Sequence, residues 1–122
     1  MKRLIVSLKN SDEVLDDFRK AFRKAKHAKK IGEPHYEISF DNKRDFDRFV
    51  KNLYILSYIL AFKPKSVYEL AKIAQMDVSN LNKVILFFEE VGAIRLKTSK
   101  VSGRTVKTPV VEYERVEFDL AA

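Results

Sequence analysis

Cysteine is absent from the chain, which excludes disulfides, thiolate zinc sites and thiol nucleophiles together. Glycine is scarce, with Gly32, Gly92 and Gly103 the whole supply. None of them stands in a phosphate-cradling loop, so they read as chain punctuation. His27 and His35 are the only two histidines. They flank the helix-breaking segment around Gly32 and Pro34 and do not have metal-ligand spacing. The acids fall mostly on polar helix faces, and no nucleophile-base pair can be assembled from them. Neither catalytic residues nor a cofactor or metal site is expected, and the chain does not read as an enzyme.

Long apolar runs are missing as well. The most apolar stretch, Leu53–Phe62, is about half the roughly 18 to 20 residues of a membrane span. Residues 1–8 do not have the apolar region and small-residue cleavage site of an export signal. These absences, with the absence of cysteine, make a cytoplasmic location without membrane contact the expectation.

What is present is apolar bulk and positive charge. At 122 residues with 46% hydrophobic content and nine Phe, the chain can build one sizeable core. Its 24 Lys plus Arg exceed 17 Asp plus Glu, for a formal charge of +7. Such a surface concentrates polyanions, and nucleic acid is the first partner it points to.

Along the chain, Arg3–Leu8 reads as a strand that runs into the cap-like Lys9-Asn10-Ser11. Residues 12–30 carry Leu15, Phe18, Phe22 and Ala25 at helical spacing, with acids in the first turns and lysines in the last, as a helix dipole favours. Gly32 and Pro34 stop that helix. His35–Phe40 alternates like a second strand, and Asp41 is placed to cap a long helix over residues 42–62. This helix is apolar nearly all round over Leu53–Phe62 and must be covered on two sides. Lys63-Pro64-Lys65 breaks it, Ser66 starts a two-turn helix over Val67–Ala74, and a tight turn leads to a helix over residues 79–91 closed by Gly92. Residues 93–98 and 106–111 read as a hairpin joined by the small, basic segment 99–104. Residues 112–120 could add a third strand.

Long helix, short helix, tight turn, helix and basic hairpin follow one another in the order of a winged helix-turn-helix, in which the helix after the turn enters the major groove. At about 100° per residue, Ser79, Asn82, Lys83, Leu86 and Glu90 face away from the apolar stripe of the 79–91 helix. Asn reads adenine, Ser and Lys reach phosphate or base edges, and Ser79, Asn80, Asn82 and Lys83 are the candidate readers. Any one of them could equally be an ordinary solvated residue. Glu90, an acid, belongs outside the groove. Lys97, Lys100, Arg104 and Lys107 around Gly103 suit phosphate contact, against the plain alternative of a solvated turn. Arg23 and Lys24 belong to the densest basic run, which is either a DNA flank contact, a partner surface or a charge arrangement set by the helix dipole.

Several segments resemble the predicted winged-helix transcriptional regulators of archaea and bacteria, MarR-like in fold. They are Ser66-Val67-Tyr68-Glu69-Leu70-Ala71, Asp77-Val78-Ser79-Asn80-Leu81, Phe88-Glu89-Glu90-Val91-Gly92-Ala93-Ile94, and the flanks beginning at Gly32 and Pro109. The likeness spans about residues 2–120. It implies a DNA-binding regulator that forms a homodimer, in a family with antitoxin-like members that bind small toxins. Ser79 and Asn82 stand where that family commonly has Lys, His or Arg.

The fold expected is therefore α+β, a winged helix-turn-helix over residues 42–122 with an N-terminal strand-helix-strand extension over residues 1–41. A dimeric repressor of double-stranded DNA is the leading function, with the N-terminal extension over residues 1–41 and the Leu53–Phe62 helix, through Leu53, Tyr54 and Tyr58, as the dimer elements. The alternative is a protein-binding winged-helix module, such as an antitoxin gripping an acidic toxin. An RNA-binding role would call for exposed aromatics, and Phe87 is the main candidate for that, with packing the simpler use.

Overall fold

The computed structural model describes residues 2–8 and 35–121. Its elements run β1 (Arg3–Leu8), β2 (His35–Phe40), α1 (Lys43–Lys51), α2 (Leu53–Phe62), α3 (Val67–Ala74), α4 (Val78–Val91), β3 (Arg95–Val101), β4 (Arg104–Val110) and β5 (Arg115–Asp119). The fold is mixed α+β. The expected helix over residues 12–30, with Arg23 and Lys24, lies outside the described residues. The chain divides into two compact units, Met1–Asp47 with Tyr113–Ala122, and Arg48–Glu112. The expected boundary after residue 41 thus falls a few residues early, and the chain's last strand joins its first.

In the first unit, β1 lies between β2 and β5 and pairs with both in parallel. Leu4 and Val6 are fully buried, as the central strand of a parallel sheet requires. Their register neighbours are Tyr36 and Ile38 on β2 and Val116 and Phe118 on β5. On the other face, buried Ser7 meets Ser39 hydroxyl to hydroxyl at 3.1 Å, which satisfies a polar group that would be costly alone. Phe46 links the two edges, edge to face with Phe40 at 6.1 Å and with Phe118 at 5.9 Å. Tyr113 is buried with its ring 6.2 Å from that of Tyr36, and burial pushes its phenol up. The tail strand was expected as part of the 42–122 winged domain. It pairs instead with β1, because a parallel partner has no sequence neighbour to announce it.

The helical part departs from the expected single helix over residues 42–62. It breaks at Asn52, whose side-chain amide donates to the Arg48 carbonyl at 2.9 Å. Such back-bonding competes with the helix ladder. The cap of α1 is Asn42 rather than Asp41, since the Asp45 amide donates to Asn42 Oδ1 at 2.8 Å. Ser66 caps α3 as expected, accepting from the Glu69 amide at 3.0 Å. Between α3 and α4 only Gln75, Met76 and Asp77 intervene. Gln75 takes a left-handed conformation at φ 55°, and its amide donates to the Ala71 and Lys72 carbonyls. Asp77 then caps α4 by accepting from the Asn80 amide at 3.2 Å. Gly92, at φ 87°, closes α4 as a left-handed C-cap.

The core of the second unit holds Phe49, Ile55, Leu70, Leu81, Ile85 and Phe88, all fully buried. Phe49 and Phe88 meet edge to face at 5.7 Å. Among the described residues, no helix is long and apolar enough to cross a membrane.

Replacing Asp77 by Ala removes the cap that starts α4 and is expected to lower unfolding free energy by about 1 kcal/mol, with Asp77→Asn close to neutral. Urea denaturation followed by circular dichroism checks this. Equal stability of Asp77→Ala and wild type would mean that packing alone sets the start of α4.

Candidate functional site

The inward stripe of α4 is Leu81, Val84, Ile85, Phe87 and Phe88. Packing of that stripe leaves Ser79, Asn80, Asn82 and Lys83 exposed. Leu86 stays 46% exposed in the middle of the outward face, and Glu89 and Glu90 are exposed near its end. The first half of the outward face is therefore amide, hydroxyl and ammonium, and the second half is apolar then acidic. Phe87, considered above for stacking, is buried. The Arg48 guanidinium lies over its ring, 4.5 Å from the centroid.

The hairpin is tighter than its sequence suggested. Strands β3 and β4 extend to a two-residue turn at Ser102 and Gly103, with φ of 52° and 78°. Two positive φ values in succession are those of a type I′ turn, whose twist matches antiparallel strands. The basic segment read as a loop over residues 99–104 is mostly strand, because Ser102 accepts a left-handed conformation for which sequence patterns favour Asn or Asp.

Register fixes where the hairpin cations point. Lys97 is opposite Thr108, and Val101 is opposite Arg104, while Lys107 is opposite Thr98 and Lys100 opposite Thr105. Side chains alternate along a strand. Lys97 and Arg104 therefore share one face, and Lys100 and Lys107 share the other. All four are exposed. From Arg95 to Val110 there is no acidic residue at all, and Arg95, at the base, pairs with Glu112. The ribbon beyond that pair is cationic on both faces. It is anchored at its base by Thr108, whose hydroxyl donates to the Lys65 carbonyl at 2.6 Å.

On α2, Ile55, Leu56 and Ile59 are buried, whereas Tyr54 and Phe62 are 43% and 57% exposed. Leu53 and Tyr58 are half-buried. Tyr54, Tyr58 and Phe62, spaced by four, form a ladder of edge-to-face rings at 5.6 and 5.8 Å. The helix has no charged residue over its ten positions.

A family model named HVO_A0114 matches residues 50–118, more than half of the chain. The chain belongs to the HVO_A0114 family. The HVO_A0114 match takes in α2, α3, α4 and the hairpin and ends within β5, so every candidate residue described above from Leu53 to Lys107 falls inside it. The name HVO_A0114 states no activity. No curated protein and no solved structure matches the chain.

Sequence reasoning passed over Arg48, which is 35 positions from Lys83 yet donates to the Lys83 carbonyl at 3.5 Å. No local pattern announces a contact of that separation.

The exposed hairpin cations do not support the fold, and Arg104→Ala and Lys107→Ala are each expected to change stability by less than about 0.5 kcal/mol. Thr108→Val, which removes the anchor, is expected to cost about 1 kcal/mol. Thermal melts of the three variants decide whether charge and scaffold are separable in this way.

Proposed function

We propose that this HVO_A0114 protein is a winged helix-turn-helix regulator of transcription that binds double-stranded DNA, and not an enzyme. In this reading α3 and α4 are the helix-turn-helix, α4 enters the major groove, and β3 with β4 is the wing. The observation that carries it is the wing: a ribbon with exposed Lys97, Lys100, Arg104 and Lys107, no acid from Arg95 to Val110, and a fixed anchor at Thr108. Cations without local counterions suit phosphates, and their binding releases condensed ions from DNA. Asn80, Asn82 and Lys83 supply base-edge chemistry, Ser79 supplies phosphate or base contacts, and the Asp77 cap holds that end of α4, with Gln75 closing α3 before it.

The regulator acts as a homodimer in this reading, with α2 as its interface. Tyr54, Tyr58 and Phe62 present an uncharged face on a chain of net charge +7, and two like-charged copies can approach there at least electrostatic cost. Two recognition helices about 34 Å apart then call for a palindromic site, and a repressor of its own promoter is the simplest such role.

A second reading, a protein-binding module such as an antitoxin, is favoured by one observation. Leu86 is 46% exposed at the centre of the outward face of α4, followed by Glu89 and Glu90, where a DNA reader gains most from polar or basic side chains.

Fluorescence anisotropy against a duplex from the protein's own promoter and a scrambled duplex tests the first reading. Binding is expected to weaken by on the order of a hundredfold or more between 50 and 200 mM salt. Arg104→Ala should weaken both duplexes alike, and Asn82→Ala should narrow the difference between them. No binding at low salt rejects the reading and sends the search to a protein partner. Sedimentation of Tyr58→Glu is expected to give a monomer where the wild type gives a dimer; two dimers would move the interface elsewhere.

A further inference from the structure

Resting on the DNA-binding reading, we infer that Arg48 is a DNA-phosphate contact built into α1, beside α4 and separate from the wing. Arg48 is exposed. Its guanidinium carbon sits 4.5 Å from the centroid of the Phe87 ring, and Nη2 donates to the Lys83 carbonyl at 3.5 Å. A guanidinium has five donors in a planar fork, and one face and one donor suffice to hold this one. The other donors are left to take a phosphate oxygen.

Three features separate this from an ordinary surface arginine. The ring beneath it is fixed, since Phe87 is 6% exposed and lies 5.9 Å from the fully buried Phe88. The platform removes much of the rotamer freedom that a long cation otherwise loses on binding. The neighbouring carbonyl belongs to Lys83, itself a candidate DNA contact, so the guanidinium is held at the turn of α4 that carries Lys83. Among the described residues the ion pairs of α1 do not involve Arg48, because Asp47 is taken by Lys43 at 2.6 Å. A positive group pinned beside a groove-entering helix, with no carboxylate paired to it among the described residues, suits a backbone phosphate at the groove's edge. The chemistry is that of a fork-shaped donor for a phosphodiester oxygen, with no reading of base sequence.

The test is anisotropy of the full chain on a random duplex at several salt concentrations, for wild type, Arg48→Met and Arg48→Lys, with thermal melts alongside. Methionine keeps an apolar cover on Phe87 and removes the charge. Arg48→Met is expected to reduce the slope of log K against log salt by about 0.9, the value for one phosphate, and to weaken binding about five- to tenfold at 0.1 M salt. Arg48→Lys is expected to retain the wild-type slope. If wild type binds with a steep slope and Arg48→Met keeps it, the inference is overturned, and a lower melting temperature would then identify Arg48 as a lid on Phe87 only. Arg48→Lys losing the slope as fully as Arg48→Met overturns it too. A wild type that binds no duplex removes the DNA-binding reading itself, and the inference with it.

Discussion

The edge-to-face contact of Phe49 with Phe88, both fully buried, decides how α4 is turned about its own axis. Once Phe88 points inward, helical geometry sends Asn82, Lys83 and Leu86 outward, with no further choice to be made. The same contact sets their neighbours. Arg48 and Phe87 each adjoin a ring of the pair, and they meet as cation and ring at 4.5 Å. The ring-ring contact itself contributes about 0.5 to 1.5 kcal/mol, and truncating either buried ring, with its burial and the cavity left behind, costs about 3 to 5 kcal/mol. The orientation of α4's surface chemistry is thus held by the burial of large core side chains, which outweighs any single exposed contact.

Against that strong core, the turn before α4 is built from weak local parts. Gln75 stands in a left-handed conformation that costs a non-glycine residue about 1 kcal/mol or more. Its amide reaches the Ala71 and Lys72 carbonyls, and Met76 N donates to the Ala71 carbonyl at 3.0 Å, which satisfies the end of α3. Asp77 begins the next helix. A reversal in three residues is affordable because both helix ends find their partners inside it.

Much of this was legible in the sequence where the signals are local. Ser66 and Gly92 announce helix ends by residue type alone, and Val67–Ala74 was bounded to the residue. The 3.6-residue apolar period gave the outward set on α4, and all of Ser79, Asn82, Lys83, Leu86 and Glu90 are exposed. What escaped was set by choices between near-equal local options or by pairing across the chain. Asn52 is as acceptable in a helix as in a break, and only its bond to the Arg48 carbonyl decides. Ser102 entering a left-handed turn shortened a loop that polar composition made look long. The contact between Arg48 and Lys83 and the pairing of β5 with β1 join positions far apart, and no window of sequence contains both partners.

That last pairing has a consequence for how the protein is made. Arg3 reaches Glu117 at 3.1 Å across 114 positions of chain. At ribosomal speeds of about 5 to 20 residues per second, β1 waits on the order of ten seconds for that side of its sheet. Until then a buried strand with fully inward Leu4 and Val6 has one bare edge. Synthesis therefore leaves β1 exposed on that side until residues 115–119 arrive and pair with it. The helices and hairpin of Arg48–Glu112 are all in hand before that moment, so the second unit can form while the first is still open.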